Sequence, residues 1–416
     1  MISEPLTRFV DDPTQPLRDA LVDTLITAGD ITSPQIASAF RVVPRHVFAP
    51  EVPLEQAYRA DDSIRIKRDA QGATTSAISA PYLHAVMLEQ AHITPGMRCL
   101  EIGSGGYHAA LMAELVGPGG QVTTVDIDAD IVQRARQFLA AAGYPHVRVV
   151  HADAAGGVPQ YAPYDRIIVT AAAWDVPPAW WQQLTDDGVL VVPLRIRGLN
   201  RSIALVKDGD RLVSLSHKQA GFVPMQGADA HPERRILLAG DDIILWFDED
   251  DAPDVDGEVL RAALHQPRVE RWSGVQIGGI EPFDGLLLWL ATRIDRFGLI
   301  TTNRSDSAYR LVKVASYLET PTVVEEDSFA YLALRPLNSE RRRFEYGACG
   351  HGPHGEELAS ELVELVRAWD RDHRYGSPAR IQITPANVPV EADPDARVIR
   401  KRHTTVTISW PAYPYW

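Results

Sequence analysis

The stretch from Cys99 to His108, CLEIGSGGYH, limits the possible folds of this chain more than any other. A short apolar run ends at Glu101, a glycine-rich turn follows, and residues 109–116 resemble a helix in composition. Glycines let a backbone approach a bound ligand where a Cβ atom would clash. About twenty residues later, the apolar segment 122–126 ends in Asp126, a position suited to ribose hydroxyls. The pattern predicts a nucleotide-type pocket, with an ordinary βα turn as the alternative.

Two kinds of nucleotide-binding turn compete for this stretch. The dinucleotide motif G-x-G-x-x-G requires a third glycine, and His108 occupies that position. Glu101, two positions before Gly103, fits the E/D-x-G-x-G loop of S-adenosylmethionine-dependent methyltransferases. This interpretation makes S-adenosylmethionine the cofactor, with Gly103 and Gly105 beneath its methionine part and Asp126 accepting hydrogen bonds from its ribose.

Length, charge and cysteine content exclude several classes of protein. A chain of 416 residues favours two domains, and a formal charge of −14 argues against a nucleic-acid groove. Two cysteines, Cys99 and Cys349, cannot build a disulfide framework, which favours a reducing cytoplasm. The first residues lack the basic and apolar regions of a signal peptide, and no apolar run approaches the ~20 residues of a membrane helix.

Apolar strand-like segments alternate with helical patterns through the first half of the chain. The predicted strands are 98–102, 122–126, 147–150, 165–170, 188–193 and 203–206. Such alternation predicts an α/β fold with a doubly wound parallel sheet that binds ligands at the carboxyl ends of its strands. Polar residues 227–235 suggest a boundary, so we expect domains at 1–230 and 231–416, the second of α+β type with helices over 283–294 and 356–369.

Four segments, in order, resemble the protein-L-isoaspartate O-methyltransferase family. They are residues 43–50 (VPRHVFAP), 78–85 (ISAPYLHA), 100–106 (LEIGSGG) and 171–177 (AAAWDVP), and a shorter match follows at 222–225 (FVPM). The resemblance covers residues 17 to about 226. It implies a Rossmann-like methyltransferase fold, S-adenosylmethionine as the cofactor and a peptide carboxylate as the methyl acceptor.

The chain also departs from the family pattern. Ala77 stands where the family has threonine, Glu101 replaces an aspartate, and Gly106-Tyr107 replaces the third loop glycine. The chain continues to residue 416, well past the closing family segment. Such an extension resembles methyltransferases encoded beside ribosomal peptide natural products, including the lanthipeptide-associated FxLD type. That branch implies a normal aspartate in a modified precursor peptide as the substrate.

The resemblance implies a set of site residues. Ser79 would hold one oxygen of the acceptor carboxylate while the other oxygen attacks the methyl group, with Thr75 or Ser76 replacing the hydroxyl missing at Ala77. The other implied substrate contacts are Ile78, Ala80, Pro81, His84 and Val223. The implied cofactor contacts are Glu101, Gly103, Ser104, Gly105, Asp126, Ile127, Asp153 and Ala154, with Asp153 receiving the adenine amino group.

Each of these assignments has a structural alternative. Ser79 could be a turn or N-cap residue of the helix near Pro81, and Asp126 and Asp153 could be N-caps. His84 could simply be packed or exposed. Three potential ligands within residues 349–354 are too cramped for a zinc site, so we expect a glycine-rich loop before a helix and no metal.

Three functions remain open at this stage. The chain could esterify an aspartate in a ribosomal precursor peptide, leading to succinimide and isoaspartate. It could instead repair isoaspartyl residues, with the extension as an appendage, or bind peptides without turnover. In the first case the C-terminal domain is expected to recognise the peptide, because selecting one normal aspartate among many requires additional binding surface. Neither nucleic acid nor a membrane is an expected partner.

Overall fold

The computed structural model describes residues 12–70, 72–279, 281–303, 305–316, 319–391 and 393–411. The first eleven residues of the predicted first domain lie outside these ranges. The chain forms two compact units. The first unit contains the residues up to 194, together with 202–208 and 215–230, and the second contains 195–201, 209–214 and the residues from 231 onward. The sequence prediction placed the boundary near residue 230, so it did not assign segments 195–201 and 209–214 to the second unit.

Helices and a hairpin precede the central sheet of the first unit. They are α1 (Gln15–Ala28), α2 (Pro34–Val42), α3 (Arg45–Phe48), α4 (Leu54–Ala57), β1 (Ile64–Arg68), β2 (Thr74–Ile78) and α5 (Pro81–Ala91). Prolines open α2 and α5, where the missing amide hydrogen has no intrahelical partner to lose. Gly29, with a φ of 78°, ends α1 in the left-handed conformation. The antiparallel β1–β2 hairpin delivers the chain to residues 78–81.

Strands and helices alternate through the rest of the first unit. They are β3 (Arg98–Ile102), α6 (Tyr107–Val116), β4 (Gln121–Asp126), α7 (Ala129–Ala141), β5 (Arg148–His151), β6 (Tyr164–Val169) and α8 (Pro178–Gln183). Three long strands follow, β7 (Leu184–Ile196), β8 (Leu199–Asp208) and β9 (Arg211–Gln219). Strands β7, β6, β3, β4 and β5 lie side by side in that order and run parallel.

The order of these strands explains where a ligand can bind. The chain moves from β3 to β4 on one side, whereas β6 pairs with the other side of β3. The connections therefore diverge between β3 and β6, and this switch point leaves a crevice at the carboxyl ends of the strands. The apolar core that holds the sheet includes Cys99, Met112 and Val191, all fully buried.

One acidic side chain is enclosed within this sheet. Glu101 on β3 is 1% exposed and accepts a hydrogen bond from the Thr124 hydroxyl on β4 at 2.5 Å. Burial raises the pKa of Glu101 to about 8, partly offset by that hydrogen bond. The carboxyl is therefore largely protonated at neutral pH.

The second unit is built on a seven-stranded antiparallel sheet. Its elements are β10 (Glu233–Ala239), β11 (Ile243–Asp248), α9 (Gly257–Leu264), β12 (Val269–Gly278), α10 (Asp284–Arg293), β13 (Phe297–Thr302), α11 (Asp306–Leu311), β14 (Thr320–Glu325), β15 (Ser328–Pro336), β16 (Arg343–His351) and α12 (Gly355–Asp372). The strand order is β10-β11-β13-β14-β15-β16-β12. Three further strands, β17 (Arg380–Pro385), β18 (Arg397–Arg400) and β19 (Thr404–Ser409), pair antiparallel with each other, and β17 also pairs with residues 212–213.

Two apolar clusters stabilise the second unit. One contains Leu290 on α10 and Leu362 on α12, and the other contains Leu260 on α9 and Phe247 on β11. Helix α12 buries Leu358, Leu362 and Val366 at helical spacing, as its amphipathic pattern predicted. Each cluster contains about twenty buried residues, a core of the size that a domain needs to fold around.

The segment 195–201 contributes three buried arginines to the second unit. Arg195 pairs with Asp248 at 2.7 Å, Arg197 with Asp251 at 3.1 Å, and Arg201 with Asp284 at 2.7 Å. Buried charges must be paired, so these ion pairs explain why this short segment belongs to the second unit. The sequence prediction placed residues 195–201 in the first domain. Nothing in the local sequence indicates that these arginines pair with aspartates more than fifty residues away.

The predicted fold class is confirmed in both halves of the chain. Strands β7, β6, β3, β4 and β5 of the first unit run parallel, as the alternating pattern indicated, and the second unit is α+β. The six strands predicted in the first half are all present, although β7 and β8 are longer than predicted. Among the described residues, no helix is both long and apolar enough to span a membrane.

The buried Glu101 predicts a specific pH dependence of stability. Its pKa is higher in the folded than in the unfolded chain, so folding is favoured while it is protonated and weakened as pH rises from about 5 to about 8. The Glu101→Gln variant has no proton to lose there. Its free energy of unfolding should therefore rise relative to wild type by up to about 1.4 kcal/mol for each pH unit in this interval.

Urea unfolding of both proteins between pH 5 and 8 measures this difference. Glu55→Gln, at an exposed position of α4, is the control and should follow wild type. Parallel stability curves for wild type and Glu101→Gln would contradict the prediction.

Candidate functional site

A cleft opens at the carboxyl ends of the parallel strands of the first unit. Its empty volume is about 660 Å³, including the part open to solvent. The turn after β3, the end of β4, the end of β6, strand β2 and the segment 223–226 form its walls. This is the crevice that the strand order predicts, and its size suits a ligand of nucleotide dimensions.

The glycine turn after β3 forms one wall of the cleft. Gly103 has a φ of 101°, and a Cβ there would lie 2.5 Å from the Thr170 hydroxyl oxygen, so only glycine fits without strain. That hydroxyl donates to the carbonyl oxygen of Gly103 at 3.0 Å. At Gly105, by contrast, a Cβ would meet only Ile78, at 3.8 Å. Gly105 therefore leaves an open surface that faces the cleft.

Asp126 fixes the position of this turn. One of its carboxylate oxygens accepts the backbone N–H of Ser104 at 2.8 Å, and the other accepts that of Asp128 at 2.9 Å. Burial raises the pKa of Asp126, partly offset by these backbone donors. Each oxygen retains capacity for a further hydrogen bond, so the carboxylate can also receive hydroxyl groups of a ligand.

The charge of the cleft distinguishes between the two candidate cofactors. The charged side chains that line it are Asp126 and Asp128, and no described lysine, arginine or histidine does so. Lys67 pairs with Asp128 at 2.6 Å, so the negative charge of the lining that has no cationic partner among the described residues is that of Asp126. That carboxylate would repel a pyrophosphate group and attract a sulfonium or ammonium group. Ile127, which remains 38% exposed, adds an apolar surface that a purine ring can cover. The residues present therefore fit S-adenosylmethionine better than a dinucleotide.

The segment 223–228 lies across the opposite side of the cleft. Its backbone pairs with Ala172 through bonds from Ala172 N to Val223 O and from Met225 N to Ala172 O. The Gln226 side chain donates to the carbonyl of Thr75 at 3.0 Å, and Asp153 accepts the backbone N–H of Ala228 at 2.8 Å. These bonds hold the segment, which we call the strap, against both β2 and the loop after β5.

Ser79 follows directly after β2, three residues of which line the cleft. It is half-buried, and its carbonyl accepts a hydrogen bond from Arg45 Nη2 at 2.9 Å. The alternative that Ser79 caps the next helix is wrong, because Ala80 is the N-cap residue of α5 and no side chain caps that end. The Ser79 hydroxyl is therefore not committed to a helix end.

His84 lies inside the first unit and does not line the cleft. Its Nδ1 lies 2.7 Å from Nδ1 of His108, so one ring donates and the other accepts. Burial lowers the pKa of His108 to about 3 and lowers that of His84 well below its ordinary value. Both rings are therefore neutral, and the pair joins α5 to α6 behind the cleft.

The structure brings together about half of the predicted site residues. Those that line the cleft are Gly103, Ser104, Gly105, Asp126, Ile127, Ala154 and Val223. Those that do not are Ile78, Ser79, Ala80, Pro81, His84, Glu101 and Asp153. Glu101 faces Thr124 inside the sheet, and Asp153 caps the short 3-10 helix 154–156 and holds the strap. The ligand contacts assigned to all fourteen residues stay predictions.

Several residues that line the cleft were not predicted. They are Ala77, Ile102, Val125, Asp128, Ile131, Thr170, Ala171, Pro224, Met225 and Gln226. Thr75 and Ser76, the suggested replacements for the hydroxyl missing at Ala77, also line the cleft. Thr170 had a usable signal, since it ends a predicted strand beside the glycine turn. Gln226 had none, because it reaches the cleft only through the fold.

Comparisons with known proteins agree with this geometry. Residues 16–230 match the family described as protein-L-isoaspartate(D-aspartate) O-methyltransferase (PCMT). A protein-L-isoaspartate O-methyltransferase of Methanococcoides burtonii is 42% identical over 200 residues, which cover 47% of this chain and 94% of the relative. The enzyme of that name from Methanopyrus kandleri is 40% identical over 219 residues, covering 52% and 94%.

A solved structure titled protein-L-isoaspartate O-methyltransferase is also similar. It is 23% identical with a TM-score of 0.49, covering 88% of this chain and 96% of its own. The family match spans more than half of the chain and contains the entire cleft. This chain therefore belongs to the protein-L-isoaspartate O-methyltransferase family and is an S-adenosylmethionine-dependent methyltransferase.

Proposed function

We propose that this enzyme transfers the methyl group of S-adenosylmethionine to a side-chain carboxylate of an aspartyl residue in a peptide. The observation that carries the proposal is the acidic cleft, whose described lining contains no basic side chain, together with Ser79, which directly follows the lining strand β2 and does not cap α5. S-adenosylmethionine supplies an electrophilic methyl group. A carboxylate is already ionised at pH 7, so the protein needs to supply no general base.

The residues of the chain then have defined tasks. Gly103 and Gly105 provide a backbone surface for the methionine part of the cofactor, and Asp126 accepts hydrogen bonds from its ribose. The Ser79 hydroxyl donates to one oxygen of the acceptor carboxylate and leaves the other free to attack. Strand β2 and the strap limit the access of water from two sides. Because opposite charges disappear during methyl transfer, a dry site favours the reaction.

For the substrate, we propose an aspartate in a ribosomally made, modified precursor peptide of lanthipeptide type, methylated in the cytoplasm. The support is the second unit, which lies beyond the family match except for residues 195–201 and 209–214, and which has two apolar cores of its own. A normal aspartate occurs in every protein, so the enzyme must recognise more than the acceptor group. The second unit provides the surface for that recognition. The next backbone amide nitrogen would then attack the ester carbonyl, lose its proton and expel methanol, giving a succinimide that water can open to an isoaspartate.

Repair of isoaspartyl residues is the second candidate. It is favoured by the relatives named protein-L-isoaspartate O-methyltransferase, of whose length this chain covers 94%. An isoaspartyl residue is distinctive in its own backbone geometry and requires less surrounding recognition. In this case the second unit would have a role other than choosing the acceptor.

The substrate test compares two acceptors with the full-length enzyme. Mass spectrometry should detect methylation of a ribosomal precursor peptide that carries thioether rings, at an aspartate, with a kcat/KM at least about tenfold above that for a generic isoaspartyl peptide. The control is the same precursor with that aspartate replaced by asparagine. Methylation of the isoaspartyl peptide alone would favour repair, and methylation of neither peptide would contradict the proposed reaction.

The cofactor site is tested at Gly105. Valine there meets little protein, so the fold should tolerate it, but its side chain extends into the cleft. We expect calorimetry to show S-adenosylmethionine affinity reduced about tenfold or more. Gly119→Val, in the exposed turn after α6 with nothing closer than 4.0 Å, is the control and should bind normally. Normal binding by Gly105→Val would place the cofactor elsewhere.

The role of Ser79 is tested by Ser79→Ala. A hydrogen bond to a charged group contributes enough that kcat/KM for the acceptor should fall about 10- to 100-fold, while cofactor affinity stays unchanged. The control is Ser63→Ala, at an exposed position before β1. Wild-type turnover by Ser79→Ala would show that the hydroxyl does not contact the acceptor.

A further inference from the structure

Arg45 is a fully buried arginine without an ionic partner. Its side chain is 0% exposed, and no described carboxylate lies within ion-pair distance of it. The carboxylate whose field reaches it is that of Asp62, which is half-buried and accepts a hydrogen bond from Gln56. A guanidinium cannot give up its charge at physiological pH, so the first unit holds a buried positive charge with no described carboxylate in contact with it.

Other buried arginines in the described parts of the chain show how unusual this is. Arg18, Arg195, Arg197 and Arg201 each pair with an aspartate at 2.5–3.1 Å. Arg166 has no ion pair, but it remains 9% exposed and donates to the carbonyl groups of Ala91, His92 and Asp165. An unpaired buried charge is strongly unfavourable for folding, which suggests that Arg45 serves the site.

The contacts of Arg45 direct it toward the acceptor segment. Nε donates to the carbonyl of Ala57 at 2.8 Å, Nη2 donates to the carbonyl of Ser79 at 2.9 Å, and Nη1 forms no hydrogen bond. The guanidinium also lies over the ring of Tyr107, 4.8 Å from its centroid. The positive charge is thus held beside the peptide group of the residue whose hydroxyl is proposed to bind the acceptor.

We propose that Arg45 makes the acceptor site selective for a carboxylate over the isosteric neutral carboxamide. It is a positioning residue that acts through its charge and through the Ser79 carbonyl, without contacting the reacting atoms. The inference rests on the proposed function, since it takes a carboxylate at Ser79 as the acceptor. The anion that arrives with the substrate then provides the partner that the protein itself lacks.

The chemistry predicts which kinetic constant the charge affects. Methyl transfer removes the negative charge of the acceptor, so the attraction to Arg45 is greatest in the bound ground state and weaker in the transition state. Loss of the charge should therefore raise KM for the acceptor much more than it lowers kcat. A variant that keeps the charge but loses one of the two hydrogen bonds to backbone carbonyls should instead lower kcat more than it raises KM for the acceptor.

The test measures binding of two peptides to the full-length enzyme saturated with S-adenosylhomocysteine, so that no reaction occurs. One peptide is whichever acceptor wild type methylates, and the other carries a carboxamide at the acceptor position. We expect wild type to bind the carboxylate at least about tenfold more tightly. Arg45→Gln, which keeps a hydrogen-bond donor without charge, should reduce this preference to about twofold or less and raise the acceptor KM about tenfold.

Two further variants separate charge from structure. Arg45→Lys should retain the carboxylate preference but lower kcat, since it keeps the charge and loses one backbone bond. Arg166→Gln removes the other buried arginine without an ion pair and should retain both the preference and the KM.

The proposal is overturned if Arg45→Gln keeps the preference, if Arg166→Gln loses it equally, or if wild type itself discriminates less than about twofold, a result that needs no variant. If wild type methylates no carboxylate at all, the proposed function fails instead.

Discussion

The hydrogen bond from the Ser104 amide to the Asp126 carboxylate is the interaction on which the site depends. It ties the turn after β3 to the end of β4, and the second oxygen of Asp126 fixes the start of the next loop through Asp128 N–H. Gly103 makes this arrangement possible, because its left-handed backbone lies against the Thr170 hydroxyl where any side chain would clash. One carboxylate thus organises the turn and presents its remaining acceptor capacity to the cleft.

The acidity of the cleft follows from the same arrangement. Asp126 and Asp128 line it, and no described lining residue is cationic. Lys67 pairs with Asp128 from outside the lining, so Asp126 is the carboxylate left without a cationic partner among the described residues. Such a surface selects a cationic cofactor and disfavours phosphates. The acceptor, however, is proposed to be an anion. Arg45, on the far side of the Ser79 peptide group, supplies a positive charge that stays out of the cleft. In this proposal the cleft carboxylate attracts the cationic cofactor and Arg45 attracts the anionic acceptor. Both charges disappear when the methyl group is transferred.

Three side chains that the sequence suggested as ligand contacts support the walls of the site. Asp153 caps a short helix and holds the strap through Ala228, and His84 bonds to His108 behind the glycine turn. Glu101, next to the turn, is enclosed in the sheet and protonated. Polar residues so close to a site are constrained by it even without touching the ligand, because a small shift of the backbone would change the shape of the cleft.

The sequence by itself determined the parallel sheet, the position of the glycine turn and the carboxylate that follows β4. These features depend on local periodicity and on the backbone freedom of glycine, which neighbouring residues encode directly. Only the tertiary structure decided that residues 195–201 join the second unit, that the strap around Gln226 borders the cleft and that Arg45 is buried without an ionic partner. Each of these depends on a contact or a missing contact between residues far apart in the chain. Burial and pairing of charges are properties of the assembled core, so no local pattern can reveal them.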